Sequence, residues 1–118
     1  MTLMSPEHLF NILSDTTRLR SLMLIREEQE ACVCELTFTL EESQPKISRH
    51  LALMRDAGVV IPRRAGTWMH YRINPDLPSW ASESIEQIVQ KLRPLEQFSN
   101  DRNRLKTMTN RPGEINCE

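Results

Sequence analysis

Residues 43–58 read Ser43-Gln-Pro-Lys-Ile-Ser-Arg-His-Leu-Ala-Leu-Met-Arg-Asp-Ala-Gly58, and this stretch decides the fold. Ser43 can cap a helix that tolerates Pro45 in its first turn, and Gly58 can end that helix. Apolar residues recur on one face at the spacing i, i+4, i+7, namely Ile47, Leu51 and Met54. Polar and cationic residues lie off this face near the start of the helix, namely Lys46, Ser48, Arg49 and His50. A short helix with one buried face and a cationic leading end suits the major groove of DNA, so the stretch predicts a recognition helix.

The charge of the chain is distributed unevenly. The 118 residues carry a formal net charge of −1, which by itself gives no nucleic-acid signature. Residues 43–72 contain six cations, which are Lys46, Arg49, Arg55, Arg63, Arg64 and Arg72. The same segment has one anion, Asp56, so it carries +5 and leaves −6 for the remainder of the chain. A local basic patch on an acidic chain favours docking on a polyanion in one orientation.

Length and composition narrow the class of protein further. A chain of 118 residues is one small domain with room for a single core. No apolar run approaches the length of a membrane span, and no signal-peptide pattern opens the chain. Three cysteines, two of them separated by one residue, make a poor disulfide framework. We therefore expect a soluble cytoplasmic protein with reduced thiols.

Three helices are predicted before the recognition helix. Ser5-Pro6 is a start signal for the first, and Asp15 can cap the second. The third is predicted from about Cys32 to Leu40, and only Glu41-Glu42 connects it to the recognition helix. Two helices joined by so short a turn, the second of them cationic, form a helix-turn-helix pattern.

After the recognition helix the apolar period changes from 3.6 residues to 2. Residues 59–61 and 67–73 predict a two-stranded hairpin with cations around its tip, in which Pro62 suits only an edge strand. Helical spacing then predicts a last helix over about residues 79–98, which Pro94 would kink or divide.

The residues after this helix are polar, and we expect them to be mobile. The organisation predicted is one folded domain over residues 1–98, followed by a flexible tail over residues 99–118.

Three motifs together carry a resemblance to a known family. They are Cys32-Val-Cys34-Glu-Leu, then Ser43-Gln-Pro-Lys-Ile-Ser-Arg-His-Leu51, then Arg63-Arg-Ala-Gly-Thr-Trp-Met-His-Tyr-Arg-Ile-Asn-Pro75. With the predicted order of elements, they describe a mostly α (α+β) winged helix-turn-helix. The chain resembles the ArsR/SmtB family of metal-sensing repressors, most closely its arsenical-resistance branch, over roughly residues 5–98.

The resemblance implies a transcriptional repressor with two partners. One is a second copy of the chain, held through the first and last helices, and the other is a near-palindromic double-stranded operator. The resemblance also implies release from DNA by a thiophilic inducer: As(III), Sb(III) or methylarsenite. Carried over by position, the residues facing the major groove would be Ser43, Gln44, Lys46, Ser48, Arg49 and His50. Those of the wing would be Arg63, Arg64, Gly66 and Thr67.

Cys32 and Cys34 are the metalloid ligands that the resemblance implies. The best-known arsenic site of this branch is Cys-x-Cys-x-x-Cys, and the third position here is Thr37, whose hydroxyl is a poor donor to a soft centre. Either Cys117 supplies a third sulfur, or two thiolates suffice, which favours a methylated arsenical with one valence blocked.

Two further expectations concern the chemistry of this cysteine pair. The start of a helix favours thiolate over thiol, so we expect lowered thiol pKa values. Because an i, i+2 pair on a regular helix points in divergent directions, joint ligation would require the first turn to distort. That distortion is the expected switch.

Two other function classes share features with this sequence. A thiol-redox-responsive repressor on the same scaffold is the main alternative, because a Cys-x-Cys disulfide closes a small strained ring and would be labile. A cysteine-dependent enzyme is less favoured, because no nucleophile elbow, Gly-rich phosphate loop or paired-acid constellation accompanies the cysteines.

Overall fold

The computed structural model describes residues 4–109 and 111. These residues form a mostly helical domain with one small antiparallel sheet. The elements are α1 (Pro6–Leu13), α2 (Thr16–Glu28), β1 (Ala31–Cys32), α3 (Val33–Leu40), α4 (Gln44–Asp56), β2 (Val60–Ala65), β3 (Trp68–Ile73), α5 (Ser79–Leu92) and α6 (Glu96–Lys106). Among the described residues, no helix has the length and apolar character needed to cross a membrane.

Side-chain caps set the starts of the early helices, as the sequence predicts. Ser5 accepts a hydrogen bond from the His8 amide at 3.1 Å. Asp15 accepts from the Arg18 amide at 3.0 Å, and Ser43 accepts from the Lys46 amide at 3.3 Å. Each cap satisfies one of the backbone N–H groups that have no partner in the first turn of a helix.

Helix α4 packs through the predicted apolar stripe. Ile47, Leu51 and Met54 are fully buried in the core, against residues of α2 and α3. The helix ends at Asp56, and Gly58 just beyond it has a φ of +83°, in the left-handed region that glycine adopts without steric cost. The polar face of α4 is thereby turned away from the core.

The hairpin is confirmed, and the structure adds a third strand to it. The strand order is β1-β3-β2, so β2 with Pro62 lies at an edge, as expected. Strand β1 pairs antiparallel with β3, with Ala31 opposite Tyr71 and Cys32 opposite His70. The sequence pattern missed β1 because two residues are too few to show alternation. Through this pairing, the short strand connects the start of α3 to the wing by backbone hydrogen bonds.

The chain does divide at Pro94, but the predicted boundary of the tail is wrong. Residues 99–106 belong to α6, which continues to Lys106. Phe98 and Leu105 are buried in the core, and Asp101 pairs with Arg20 of α2 at 2.6 Å. Helix α6 is polar apart from these few contacts, so its apolar periodicity was too weak to recognise in the sequence.

Leu105 provides a test of whether α6 is part of the folded unit. We expect Leu105→Ala to lower the free energy of unfolding by about 2–5 kcal/mol, because it leaves a cavity in the core. The neighbouring Lys106 is exposed, so Lys106→Ala should change stability by less than about 0.5 kcal/mol. Urea unfolding followed by circular dichroism measures both. Equal stability of the two variants would show that α6 does not contribute to the core in solution.

Candidate metalloid site and DNA-reading face

The two neighbouring cysteines converge instead of diverging. Cys32 ends β1 and is the N-cap of α3, with extended backbone angles of φ −84° and ψ 150°. Cys34 is the second residue of the helix. Their Sγ atoms are 2.8 Å apart, and both cysteines are free thiols. The expectation that the first turn must distort for joint ligation is therefore wrong, because Cys32 lies outside the helix and its side chain turns towards that of Cys34.

A capping box holds this arrangement in place. The Cys34 amide donates to Cys32 Sγ at 3.4 Å, and the Cys32 amide donates to Glu35 Oε1 at 2.7 Å. The buried Glu35 also accepts from Arg111 Nε at 2.8 Å, and Arg111 reaches Glu28 as well. A residue near the C-terminus thus supports the carboxylate that orients the cysteine pair.

The expected lowering of the thiol pKa does not hold for Cys34. Burial raises the pKa of Cys34 far above its ordinary value, and the contact with Cys32 and the nearby Glu35 carboxylate raise it further. A buried thiolate would lose its hydration and face a negative charge, and these effects exceed that of the helix dipole. The raised pKa of Cys34 favours its protonated thiol form at neutral pH.

The cysteine pair lies in the wall of a cavity of about 430 Å³. The cavity lies between α3, the start of α4 and the turn from β2 into β3. Its lining side chains are Cys32, Val33, Cys34, Thr37, Phe38, Gln44, Ser48, Thr67, Trp68, Met69 and Tyr71. The thiols therefore share one space with residues of the recognition helix and of the wing.

The structure supplies no third cysteine beside this pair within the described residues. Thr37 also lines the cavity, and its hydroxyl donates to the Val33 carbonyl oxygen at 2.9 Å. Among residues 4–109 and 111, no group of three or more His, Cys, Asp or Glu side chains is placed to hold a metal ion. The predicted ligand Cys117 lies outside the described residues.

Most of the predicted reading residues of α4 face solvent. Ser43, Gln44, Ser48 and Arg49 are exposed, and Lys46 is half-buried. The Lys46 ammonium pairs with Glu42 at 3.0 Å. This side of α4 is polar and accessible at the N-terminal end of the helix, where a recognition helix contacts base edges.

His50 is the exception, because its ring turns back towards α2. Arg18 Nη1 donates to His50 Nδ1 at 3.2 Å, and His50 Nε2 lies 3.9 Å from Asp15 Oδ1. Burial lowers the pKa of His50, which favours the neutral ring. The interpretation of His50 as a DNA-side group is not supported by this geometry, since α4 packs against the start of α2 at this point.

The predicted wing residues lie at the tip of the hairpin. Gly66 and Thr67 form the exposed turn, and Gly66 has a φ of +64°. Arg64 is exposed on β2. Arg63 is exposed too, but its guanidinium donates to Glu30 at 2.9 Å, so part of its charge is already compensated.

Sequence reasoning missed the aromatic walls of the cavity and the support behind the cysteines. Phe38 and Trp68 are far apart in the chain, and only packing brings them together. Phe38 also lies under the Arg104 guanidinium of α6, 4.5 Å from the ring centroid. Glu35 was recognisable, because it follows Cys32 at the spacing of a capping box.

A capped recognition helix, a β wing and three preceding helices define a winged helix-turn-helix DNA-binding protein. The chain belongs to the arsR family of bacterial regulatory proteins, whose sequence model matches residues 15–61. It is a transcriptional regulator and not an enzyme.

Similar proteins support the assignment to this family. The chain is 48% identical over 87 residues to the arsenical resistance operon repressor of Escherichia coli, covering 74% of each chain. It is 46% identical over 110 residues to the arsenic resistance transcriptional regulator ArsR1 of Pseudomonas putida, covering 93% of this chain and 84% of the relative. The solved structure of the transcriptional repressor BigR from Xylella fastidiosa is similar, with a TM-score of 0.60 at 28% identity over 76% of this chain and 84% of that one.

The raised pKa of Cys34 gives a pH dependence of stability with a definite sign. Because the folded protein keeps a proton that the unfolded chain releases above about pH 8.5, this stabilising contribution is complete below that pH and is lost as the pH rises. We expect the free energy of unfolding to fall more steeply between pH 8 and pH 10 in the wild type than in Cys34→Ser. Urea unfolding at each pH measures the free energy of unfolding of both proteins. The contributions of other titrating groups are common to both and cancel in the difference between them. Parallel profiles would mean that the Cys34 thiol is unperturbed.

Proposed function

We propose that this chain represses transcription by binding an operator as a homodimer, and that trivalent arsenic or antimony bound at Cys32 and Cys34 releases it. One observation carries the proposal: the convergent thiols line the same cavity as Gln44 and Ser48 of α4 and Thr67 of the wing. A soft centre that exchanges oxygen for sulfur ligands is the chemistry that two adjacent thiols favour. The arsenical-resistance functions of the relatives in Escherichia coli and Pseudomonas putida agree with this assignment.

The shared cavity also supports a mechanism of release. An inducer shifts an equilibrium only if it binds the DNA-incompetent form more tightly than the competent one. A ligand at the thiols occupies space between the start of α4 and the wing, so it favours conformations in which these two elements stand further apart. A dimer requires both reading surfaces in register with the DNA, and a change in their spacing weakens binding. Distortion of α3 is not needed for this step.

Exposed apolar side chains support a dimer formed through the first and last helices. Phe10 on α1 is 64% exposed, and Leu95, in the turn that follows α5, is 52% exposed. Burial of these two side chains against a second copy would give the interface an apolar contribution. A dimer would match a near-palindromic operator with half-sites about one helical turn apart. Such a regulator would act in the cytoplasm, where its DNA is present and thiols stay reduced.

The proposed DNA interface consists of the exposed polar end of α4 and the wing. Gln44, Ser48 and Arg49 are the side chains of α4 suited to base edges. Arg64, Gly66 and Thr67 would contact the phosphate backbone from the wing, with Arg63 contributing once it leaves Glu30. The −6 charge of the rest of the chain disfavours other orientations on DNA.

Arg49 tests the reading face. Arg49→Ala should weaken operator binding by about 1–3 kcal/mol, because one charge-assisted contact to a base or phosphate is lost. Its melting temperature should match the wild type, since the side chain is exposed and lies off the buried stripe. Fluorescence anisotropy with operator DNA measures the affinity. Arg63→Ala is the matched control, because it removes an exposed arginine that is already paired with Glu30. It should weaken operator binding by less than Arg49→Ala does. Wild-type affinity of Arg49→Ala would show that this end of α4 does not read the operator.

The thiols test the inducer site. Cys32→Ser and Cys34→Ser should each bind operator normally and stay bound in arsenite concentrations that release the wild type. Cys117→Ser separates two ligand sets: loss of the arsenite response assigns a third sulfur to Cys117, and a normal response leaves a two-thiolate site. Release is measured by anisotropy, together with ultraviolet absorbance of the metalloid–thiolate bonds. Normal release of both serine variants would refute the site. Release by peroxide but not by arsenite would favour the redox-responsive alternative.

A further inference from the structure

We infer that Arg18 is a positioning residue for operator binding, because its guanidinium joins the end of α1 to His50 and thereby sets where the recognition helix α4 stands relative to the dimer interface. The inference rests on the proposed function, since it assigns the contact that links the proposed interface to the proposed reading face. The hydrogen bonds of the Arg18 side chain and the proton that the His50 ring must carry both lead to it.

Arg18 holds the end of α1. It lies in the first turn of α2, and its Nε donates to the Ile12 carbonyl oxygen at 2.8 Å. Its Nη2 donates to the Asn11 carbonyl oxygen at 3.2 Å. Both carbonyls belong to the last turn of α1, where the backbone acceptors have no partner within the helix. A cation at this end of a helix also interacts favourably with the helix dipole.

The same guanidinium also reaches the recognition helix. Arg18 Nη1 lies 3.2 Å from His50 Nδ1, and the His50 side chain is only 12% exposed. A guanidinium has donors and no acceptor, so Nδ1 must be unprotonated for this hydrogen bond to form. The proton of the neutral ring is then on Nε2, which lies 3.9 Å from Asp15 Oδ1. Two side chains of α2 therefore hold one tautomer of a neutral imidazole on α4.

The end of α1 that Arg18 holds is next to the proposed dimer interface. Phe10 directly precedes Asn11 and is 64% exposed, and it is one of the side chains assigned to that interface. In a dimer on DNA, the two recognition helices must enter major grooves about one helical turn apart. Their separation depends on where α4 stands relative to the interface in each chain. A connection from α1 to α4 would therefore transmit the geometry of the interface to the reading face.

A lysine in place of Arg18 would keep the charge and lose this connection. The guanidinium presents five donors in a fixed planar fork, whereas an ammonium is a point charge on a flexible stem. Arg18→Lys therefore separates positioning from charge. A simple electrostatic contact with phosphate would survive the substitution, and the joint hold on α1 and α4 would not.

Protonation of His50 would break the connection from the other side. A proton on Nδ1 removes the acceptor and places a second positive charge beside the guanidinium. Burial lowers the pKa of His50, Asp15 acts against this, and the cations Arg18, Lys46 and Arg49 lower the pKa further. Operator affinity should therefore decrease as the pH falls below about 6.5. A histidine that contacted phosphate would have the opposite effect, since its protonation would strengthen binding.

The first test is the affinity of two single variants and their combination. The probe is the duplex that the wild-type protein selects from a random-sequence library, and a scrambled duplex of equal length reports non-specific binding. Arg18→Lys and His50→Leu should each weaken operator binding by about three- to tenfold, the effect of one hydrogen bond on an equilibrium. Non-specific affinity and sedimentation of the dimer should not change. The double variant should bind no more weakly than either single one, because both substitutions remove the same connection.

Arg55→Lys is the matched control for the exchange of arginine by lysine. Arg55 is exposed near the end of α4, and its guanidinium pairs with the adjacent Asp56 at 3.2 Å. This contact lies within one helix and connects no other element. Arg55→Lys should therefore bind the operator with wild-type affinity.

The second test is the pH profile of His50→Asn. The Asn side-chain oxygen keeps an acceptor near the place of Nδ1 and does not titrate. This variant should match the wild type at about pH 7.5 and keep its affinity at about pH 5.5, where the wild type weakens. His8 and His70 titrate in both proteins, so their contributions cancel in the comparison. Melting curves followed by circular dichroism show that each variant is folded at both pH values.

The outcomes separate this inference from the proposed function. Wild-type affinity of Arg18→Lys and His50→Leu, or additive losses in the double variant, would overturn the inference and leave the repressor intact. Equal losses of operator and non-specific affinity would do the same, because they would assign a phosphate contact to Arg18. Tighter operator binding by the wild type at low pH would make His50 a DNA contact and also overturn the inference. A wild-type protein that selects no duplex would overturn both.

Discussion

The pairing of β1 with β3 is the constraint on which the site depends. It is only two residues long, yet it places Cys32 opposite His70 and gives Cys32 an extended backbone. Because Cys32 is therefore the cap of α3 and not part of it, its sulfur meets that of Cys34 without any strain in the helix. The same pairing brings the aromatic residues of β3 alongside the thiols. The cysteine pair of the proposed sensor site and the wing are thus parts of one small sheet-and-helix junction.

Two cations near this junction are already paired with carboxylates in the free protein. Arg63 and Lys46, two of the cations nearest the proposed DNA, are paired with Glu30 and Glu42 in the free protein. Exchanging these carboxylates for phosphates would offset part of the electrostatic gain of the proposed DNA binding.

The differences between expectation and structure at the cysteines have one physical origin. Spacing along a chain predicts side-chain directions only when the secondary structure of both residues is known. The pattern placed both cysteines on one helix, and the actual strand-to-helix transition falls between them. The prediction of a lowered pKa for Cys34 was wrong for a similar reason. A helix start lowers a thiol pKa, but burial and the Glu35 carboxylate raise it and are stronger here. Neither burial nor the Arg111–Glu35 contact can be read from the local sequence.

Local sequence determined the helix starts at Ser5, Asp15 and Ser43, the buried stripe of α4, the hairpin and the division at Pro94, because caps, apolar periods and proline act within a few residues. It also contained the motifs that relate the chain to the arsR family. Tertiary structure alone decided that α6 joins the core, that His50 turns to α2 and that Phe38 and Trp68 line the same cavity. These contacts join residues distant in the chain, and their free energy comes from burial and charge pairing that exist only once the whole domain has packed.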